Sequence, residues 1–238
     1  MNERIDKIKS GAYWRVNIRP TTFKKDRVNS LSEARRIVEA CSVKLRGWTY
    51  PQITPEETKS GVDWVQSGCD LEEFIEYWRF YQSAQFIHYF SVVEDYPEVK
   101  ERAMDLVTGG MGFGTSRQPS GYISVFSTLF RITEIYEFAM RLAQKDIMAP
   151  GVCISIKLHG ITNYQLFSWD PERIFLRTFV AAIGEIPLES TMGIEELLAK
   201  GHDEAINQTI YLFERFNWVD PPRTIMVEEQ KKLLERRL

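Results

Sequence analysis

The chain of 238 residues lacks every complete catalytic signature that we recognise in a sequence. It has no Gly-x-Ser-x-Gly, and its three histidines, His88, His159 and His202, are not spaced as metal ligands. The segment Ser155-Ile156-Lys157 has the lysine of a divalent-metal nuclease but not the carboxylate that would hold the metal. We therefore expect a protein without a catalytic site, a metal or a cofactor.

Cysteine and long apolar runs are also scarce. Cys41, Cys69 and Cys153 lie far apart and form no CxxC pair, so we expect reduced thiols in a cytoplasmic protein. No stretch approaches the ~18 consecutive apolar residues that predict a membrane span. The first residues contain no apolar run of the kind found in signal peptides.

One enzyme hypothesis remains open although the sequence contains no complete catalytic motif. His88, Asp63 and Cys69 are distant in the sequence, and a fold could still bring them together as a dispersed active site. A catalytic cysteine needs a nearby histidine and an electropositive setting. The sequence shows no such pairing, so this hypothesis ranks behind binding functions.

The pattern of apolar residues predicts strands and helices that interleave irregularly. This arrangement favours a single α+β domain over 1–238, with a mixed or mainly antiparallel sheet packed against several helices, chiefly those at 70–82 and 122–145. The predicted strands are 13–19, 61–65, 85–93, 152–160 and 173–180, with an irregular segment at 45–51. The predicted helices are 32–42, 70–82, 122–145, 193–215 and 223–237, with a short one starting at Pro97.

Aromatic residues are concentrated at 69–93, where eight rings surround Arg79, Gln82 and Gln85. Asp70 and Glu73 have the spacing of a capping box and predict the helix at 70–82. The rings and amides form either a core polar network, whose amides need partners, or a recognition site for a peptide or ligand. Both interpretations remain open.

A second aromatic–basic set lies at Arg46-Gly47-Trp48. Arginine beside aromatic rings can stack on a base, bind phosphate or hold a loop internally. With the previous set it gives our candidate binding residues, Arg46, Trp48, Arg79, Gln82 and Gln85.

Charge is unevenly distributed along the chain. Residues 1–60 carry 13 Lys/Arg and 7 Asp/Glu, a net charge of +6, whereas residues 61–238 carry a net charge of −9. A basic lobe attracts anionic partners, nucleic acid being the commonest, although it could also be a solvated surface. The candidate nucleic-acid contacts are Arg15, Arg19, Lys24, Lys25 and Arg27.

The clearest break in the predicted elements is the Gly-rich segment 109–121. Gly109 to Ser116 has the spacing of a phosphate-binding loop, but Thr115 stands where the lysine should be. Without that lysine a nucleotide phosphate lacks its partner. We expect a loop here.

Four stretches resemble a known domain in order and spacing: YWRVNIRPTTF, RGWTYPQI, EYWRFYQSAQFIHYFSV and YISVFSTLFRITEIYEFAMRLAQ. They resemble an uncharacterised bacterial domain found beside Schlafen/AlbA-type nucleic-acid- or ATP-binding domains, over about residues 12–235. The resemblance implies an accessory module in bacterial defence or nucleic-acid handling. The neighbouring domain is not in this chain, so its activities do not carry over.

The leading hypothesis is a non-enzymatic protein-interaction module in a nucleic-acid-associated or anti-phage complex. A second contact is expected on the C-terminal helix, through Lys231, Lys232, Arg236 and Arg237. Direct nucleic-acid binding through the basic lobe is the alternative. A protein partner is expected, a membrane partner is not, and homo-oligomerisation stays open.

Overall fold

A seven-stranded sheet forms the centre of the fold in a computed structural model that describes residues 3–72, 74–109, 118–173 and 175–237. The strands along the chain are β1 (Tyr13–Pro20), β2 (Val43–Arg46), β3 (Trp48–Tyr50), β4 (Lys59–Ser60), β5 (Trp64–Leu71), β6 (Phe74–Tyr81), β7 (Phe86–Ser91), β8 (Gly121–Ser124), β9 (Gly151–His159), β10 (Tyr164–Phe167) and β11 (Glu185–Gly193). The sheet has the order β11-β9-β1-β7-β6-β5-β4. Every pairing within it is antiparallel.

The helices pack mainly on one face of this sheet. They are α1 (Glu3–Ile8), α2 (Leu31–Cys41), α3 (Pro97–Gly109), α4 (Val125–Ala143), α5 (Ile194–Glu214) and α6 (Arg223–Leu234). The apolar face of α4, including Ile132, Ile135 and Phe138, is buried in the main core. The predicted α+β single domain with a mainly antiparallel sheet is confirmed.

Local sequence signals explain several elements. β1 alternates buried and accessible residues, as a strand with one face on the core should. At α2 the Ser30 hydroxyl accepts a hydrogen bond from the Glu33 backbone N–H at 3.1 Å, and the Glu33 carboxylate accepts one from the Asn29 N–H at 3.0 Å. These bonds satisfy donors at the start of the helix that have no partner within it.

The predicted helix at 70–82 is wrong, because this segment is the end of β5 and all of β6. β6 has side chains packed on both faces: Trp78 and Phe80 enter the main core, and Ile75 and Tyr77 pack beneath α1. Such a strand has no clean polar face, so its apolar pattern resembles that of a helix. Asp70 does not cap a helix; it accepts hydrogen bonds from Lys7.

Three other predicted segments need correction. The segment 173–180 is not a strand; among its described residues only Val180 forms an isolated bridge, with Gln165, while Phe175 and Phe179 pack their rings against Trp218. Conversely, β11 was not predicted. The strand predicted at 61–65 begins only at Trp64, and 45–51 contains most of the β2–β3 hairpin.

Candidate functional site

The alternation of β1 gives the sheet two different faces. Val16 and Ile18 are buried on the helix-covered side, whereas Arg15 and Arg19 point the other way and are exposed. Outward side chains of the neighbouring strands continue this second surface, which we call the open face. It comprises Arg15, Asn17, Arg19, Trp64, Gln66, Arg79, Tyr81, Gln85, Ile87, Tyr89, Ser155 and Lys157.

One end of this side of the sheet is covered by α1. Ile5 and Ile8 of that helix pack against Ile75 and Tyr77 of β6. Beyond α1, every member of the open face is half-buried or exposed. The surface is therefore accessible to a partner over β1, β5, β6, β7 and β9.

Strand register brings basic residues from distant parts of the chain together. Arg15 lies directly opposite Tyr89 on β7 and Lys157 on β9. Asn17 is opposite Ile87, which is in turn opposite Arg79 on β6. With neighbouring strands ~4.8 Å apart, this register places the Cα atoms of Arg15 and Arg79 roughly 12 Å apart.

The arginines of the open face have no carboxylate partner. Among the described residues, no Asp or Glu lies within ion-pairing distance of Arg15, Arg19 or Arg79. Lys157 is paired, with Glu185 of the edge strand β11 at 3.0 Å. The centre of the open face is therefore positive, and the carboxylates on this side, Glu185 and Glu189, lie on its edge strand β11.

Aromatic rings lie beside two of these arginines, Arg79 and Arg15. The Arg79 guanidinium carbon lies 4.0 Å from the centroid of the Trp64 ring, and Arg79 Nη2 donates a hydrogen bond to Gln66 Oε1 at 2.8 Å. The Arg15 guanidinium lies 6.0 Å from the Tyr89 ring centroid. Planar guanidinium groups held beside rings can contact phosphate or stack on a base without much further ordering.

The candidate glutamines have mainly structural contacts. Gln85 Nε2 donates to Asn17 Oδ1 at 3.0 Å on the open face. Gln82 lies in the turn between β6 and β7, where its Nε2 donates to the Val28 carbonyl at 3.0 Å. Each amide is anchored to the protein by one such bond, so we assign neither a direct binding role.

The remaining candidates of the basic lobe lie in the loop after β1. Lys24 and Lys25 are exposed. Arg27 is half-buried, and its guanidinium donates to the carbonyls of Thr22, Ile147 and Ala149. Lys24 and Lys25 are therefore available to an anionic partner, whereas Arg27 holds the loop against the segment after α4.

Arg46 and Trp48 lie on the opposite side of the sheet from Arg79. Arg46 forms two hydrogen bonds with the fully buried Glu134 of α4, from Nε to Oε1 at 3.0 Å and from Nη2 to Oε2 at 2.6 Å. Its guanidinium carbon lies 4.7 Å from the Trp48 ring centroid. Of the predicted binding residues, Arg79 and Gln85 therefore lie on the open face and Arg46 and Trp48 at a separate site. Gln82 belongs to neither.

A cavity of about 130 Å³ adjoins this ion pair, and Arg46, Trp48, Glu94 and Arg131 are among the residues that line it. Arg131 Nη1 lies 3.6 Å from Glu134 Oε2. Burial lowers the pKa of Arg46, and the hydrogen bonds and charge of Glu134 partly offset this. We call this cavity the arginine pocket.

Glu94 is the second acid of the arginine pocket. Burial raises the pKa of its carboxyl to about 7, although the Ser124 backbone N–H and the charge of Arg131 act in the opposite direction. The Ser124 N–H donates to Glu94 Oε1 at 3.3 Å. Near neutral pH this carboxyl therefore changes its charge.

Sequence reasoning missed Glu94, Arg131 and Glu134. A signal for the last two was present, since Arg131 and Glu134 are charged residues beside the apolar positions Ile132 and Ile135 of α4. Their i,i+3 spacing places them as neighbours on the helix. The sequence does not show that Glu134 also pairs with Arg46, because the two residues lie 88 positions apart.

The dispersed catalytic set is not assembled. Asp63 precedes β5 and Cys69 lies near its other end, so the extended strand separates them by roughly 20 Å. Burial raises the pKa of Cys69 to about 12 and lowers that of His88. His88 Nε2 lies 3.4 Å from Glu76 Oε2, and its Nδ1 is 3.3 Å from the Tyr50 hydroxyl.

The basic residues of the C-terminal helix lie away from the open face. α6 packs against α4, α5 and β2. Lys232 pairs with Glu229 at 2.7 Å, Arg237 pairs with Glu235, and Lys231 and Arg236 are exposed. Apart from Gly109, which ends α3, the Gly109–Ser116 loop lies outside the described residues.

Comparisons with known proteins found no matching family, no matching curated protein and no matching solved structure. Within the described ranges no helix is long and apolar enough to cross a membrane. The same residues contain no group of three or more His, Cys, Asp or Glu side chains arranged to hold a metal ion.

Proposed function

We propose that the chain is a non-enzymatic binding module of a nucleic-acid-associated complex, and that its open face binds a single-stranded nucleic acid. The observation that carries the proposal is the row of carboxylate-free arginines, Arg15, Arg19 and Arg79, on an accessible sheet face. Unpaired surface cations attract a polyanion and gain by releasing its counterions. Arg15 and Arg19 belong to residues 1–60, the part of the chain that carries the net charge of +6.

The shape of the surface favours a single strand over a duplex. A duplex groove admits a helix or a two-stranded ribbon, whereas β1, β5, β6, β7 and β9 present a broad face. Aromatic side chains on such a face stack on unpaired bases while cations follow the backbone. Tyr81 and the half-buried Tyr89 are the rings that this face offers. The Trp64 ring already packs against Arg79 and Gly61.

Docking of a protein partner remains the second proposal, since Arg and Tyr are also enriched at protein interfaces. The two proposals share a surface and differ in the role of charge. A single strand depends on contacts to phosphate, so its affinity follows the charge of the face. A protein partner depends more on packing and would show a weaker salt dependence.

Charge reversal on the open face tests the proposal. We expect Arg15→Glu/Arg19→Glu to weaken binding of a labelled single-stranded oligonucleotide by at least about 100-fold. Each lost charge-assisted contact costs ~1.5 kcal/mol or more, and 1.4 kcal/mol corresponds to about tenfold in affinity. Fluorescence anisotropy at low salt measures the affinity directly.

The matched control is Arg35→Glu/Arg36→Glu, which makes the same change of net charge on the exposed side of α2. This helix packs against β5 and β6 on the core side of the sheet. We expect the control to bind nearly as well as the unmodified chain. An equal loss in both variants would mean that net charge, not the open face, determines binding.

A further inference from the structure

The arginine pocket carries more positive than negative charge before any ligand is present. The side chains of Arg46, Arg131 and Glu134 are 11%, 12% and 0% exposed, so two guanidinium groups share one permanent carboxylate. Glu134 takes two hydrogen bonds from Arg46 and only a 3.6 Å contact from Arg131. A nearly buried excess charge is costly unless an anion accompanies it.

Hydrogen-bond donors in this pocket are also left over. Arg46 Nη1 makes no hydrogen bond within the described part of the chain, and neither does any guanidinium N–H of Arg131. The Arg131 guanidinium is held by rings instead, 4.9 Å from the centroid of Phe90 and 5.4 Å from that of Phe74. Its donors therefore remain available to an acceptor that enters the pocket.

The remaining walls of the pocket are largely apolar. Trp14, Trp48 and Phe90 line it together with the two arginines. Its volume of about 130 Å³ is close to that of an engineered ~150 Å³ cavity that binds benzene. The pocket is therefore large enough for a ligand with one ring. Its one excess positive charge would be balanced by a single anionic group on that ligand.

We propose that the arginine pocket binds a small planar carboxylate, whose carboxylate is held by Arg131 and Arg46 and whose ring lies among Trp14, Trp48 and Phe90. The planar fork of a guanidinium donates two parallel hydrogen bonds to a carboxylate. This site is separate from the open face and does not depend on the nucleic-acid proposal. It would make the chain a ligand-binding protein in addition.

The titration of Glu94 makes the site sensitive to pH. The charged groups that face its carboxyl are Arg131 of α4, Arg46 of β2 and the adjacent Asp95. Below a pH of about 7 the carboxyl is largely neutral, and above it the carboxylate repels a bound anion. Ligand affinity should therefore fall as the pH rises through neutrality.

The probe is benzoate, with benzamide as a neutral ligand of the same shape, each titrated into the full chain by calorimetry. We expect benzoate to bind at least about tenfold more tightly than benzamide, because only benzoate offers a charged acceptor. Affinity for benzoate should drop several-fold between pH 6 and pH 8, and by no more than about tenfold, the limit for one group with a pKa of about 7. Glu94→Gln should remove most of that pH dependence.

Two variants locate the binding. Arg131→Gln should weaken benzoate binding at least about tenfold, and Arg35→Gln on the exposed side of α2 should not weaken it. Ser127→Leu fills the pocket from α4 and leaves its charged residues in place, so it should abolish benzoate binding. This variant provides a second test if Arg131→Gln fails to fold. Retention of benzoate affinity in Ser127→Leu would overturn the proposal.

Two other results would also overturn it. Equal affinity for benzoate and benzamide would show that the arginines take no part in binding. Inorganic phosphate that competes as strongly as benzoate would show a general anion site, not one for a planar carboxylate. Failure of nucleic-acid binding at the open face would leave the expectations for benzoate unchanged, so the two proposals can fail separately.

Discussion

Glu134→Gln should lower the free energy of unfolding by about 3–5 kcal/mol, the range found when one partner of a buried ion pair is removed. The Glu134 side chain is fully buried and accepts both hydrogen bonds of Arg46. Glutamine has nearly the same shape but no charge. The substitution therefore leaves Arg46 and Arg131 close together with no permanent carboxylate between them.

Urea denaturation of the variant and the unmodified chain at one pH measures this effect. Glu39→Gln is the matched control, because Glu39 pairs with Arg35 at 2.7 Å on the exposed surface of α2. Exposed pairs of this kind contribute at most ~1 kcal/mol. If Glu134→Gln cost no more than Glu39→Gln, the buried ion pair would not stabilise the fold as described.

Glu94→Gln should have the opposite effect and stabilise the protein above neutral pH. Burial raises the pKa of Glu94 from 4.5 to about 7, so the folded chain binds more protons than the unfolded chain between these pH values. Stability is therefore lost as the pH rises through this interval. At pH 8 we expect the variant to be more stable by about 3 kcal/mol.

The pH dependence distinguishes this effect from a general gain in packing. We expect the two unfolding free energies to be similar near pH 4.5 and to diverge up to pH 7, as measured by urea denaturation at several pH values. Glu101→Gln, on the exposed surface of α3, controls for loss of a carboxylate. A constant difference between Glu94→Gln and the unmodified chain at all pH values would contradict burial as the cause.

Much of the secondary structure could be predicted because the signals were local. β1 shows a two-residue alternation, α2 has its serine cap, and α4 has a broad apolar face. The β6 segment could not be assigned in this way. Its side chains pack on both sides, against α1 on one and the main core on the other. It is a strand because it pairs with β5 and β7, and such pairings are not encoded in a local pattern.

The open face could be predicted only in part. The alternation of β1 already places Arg15 and Arg19 on one side. Arg79 and Lys157 join them through strand pairings that span long stretches of sequence, and no local pattern encodes those. The arginine pocket was harder still, because it combines β2, the 93–95 turn and α4.

The salt dependence of single-strand affinity is the decisive measurement for nucleic-acid binding by the open face. If Arg15, Arg19 and Arg79 each contact a phosphate, the logarithm of the binding constant should fall with the logarithm of salt concentration with a slope of about −2. In Arg15→Glu/Arg19→Glu the slope should shrink to about −0.7. A slope near zero, or one that this variant leaves unchanged, would contradict nucleic-acid binding by the open face.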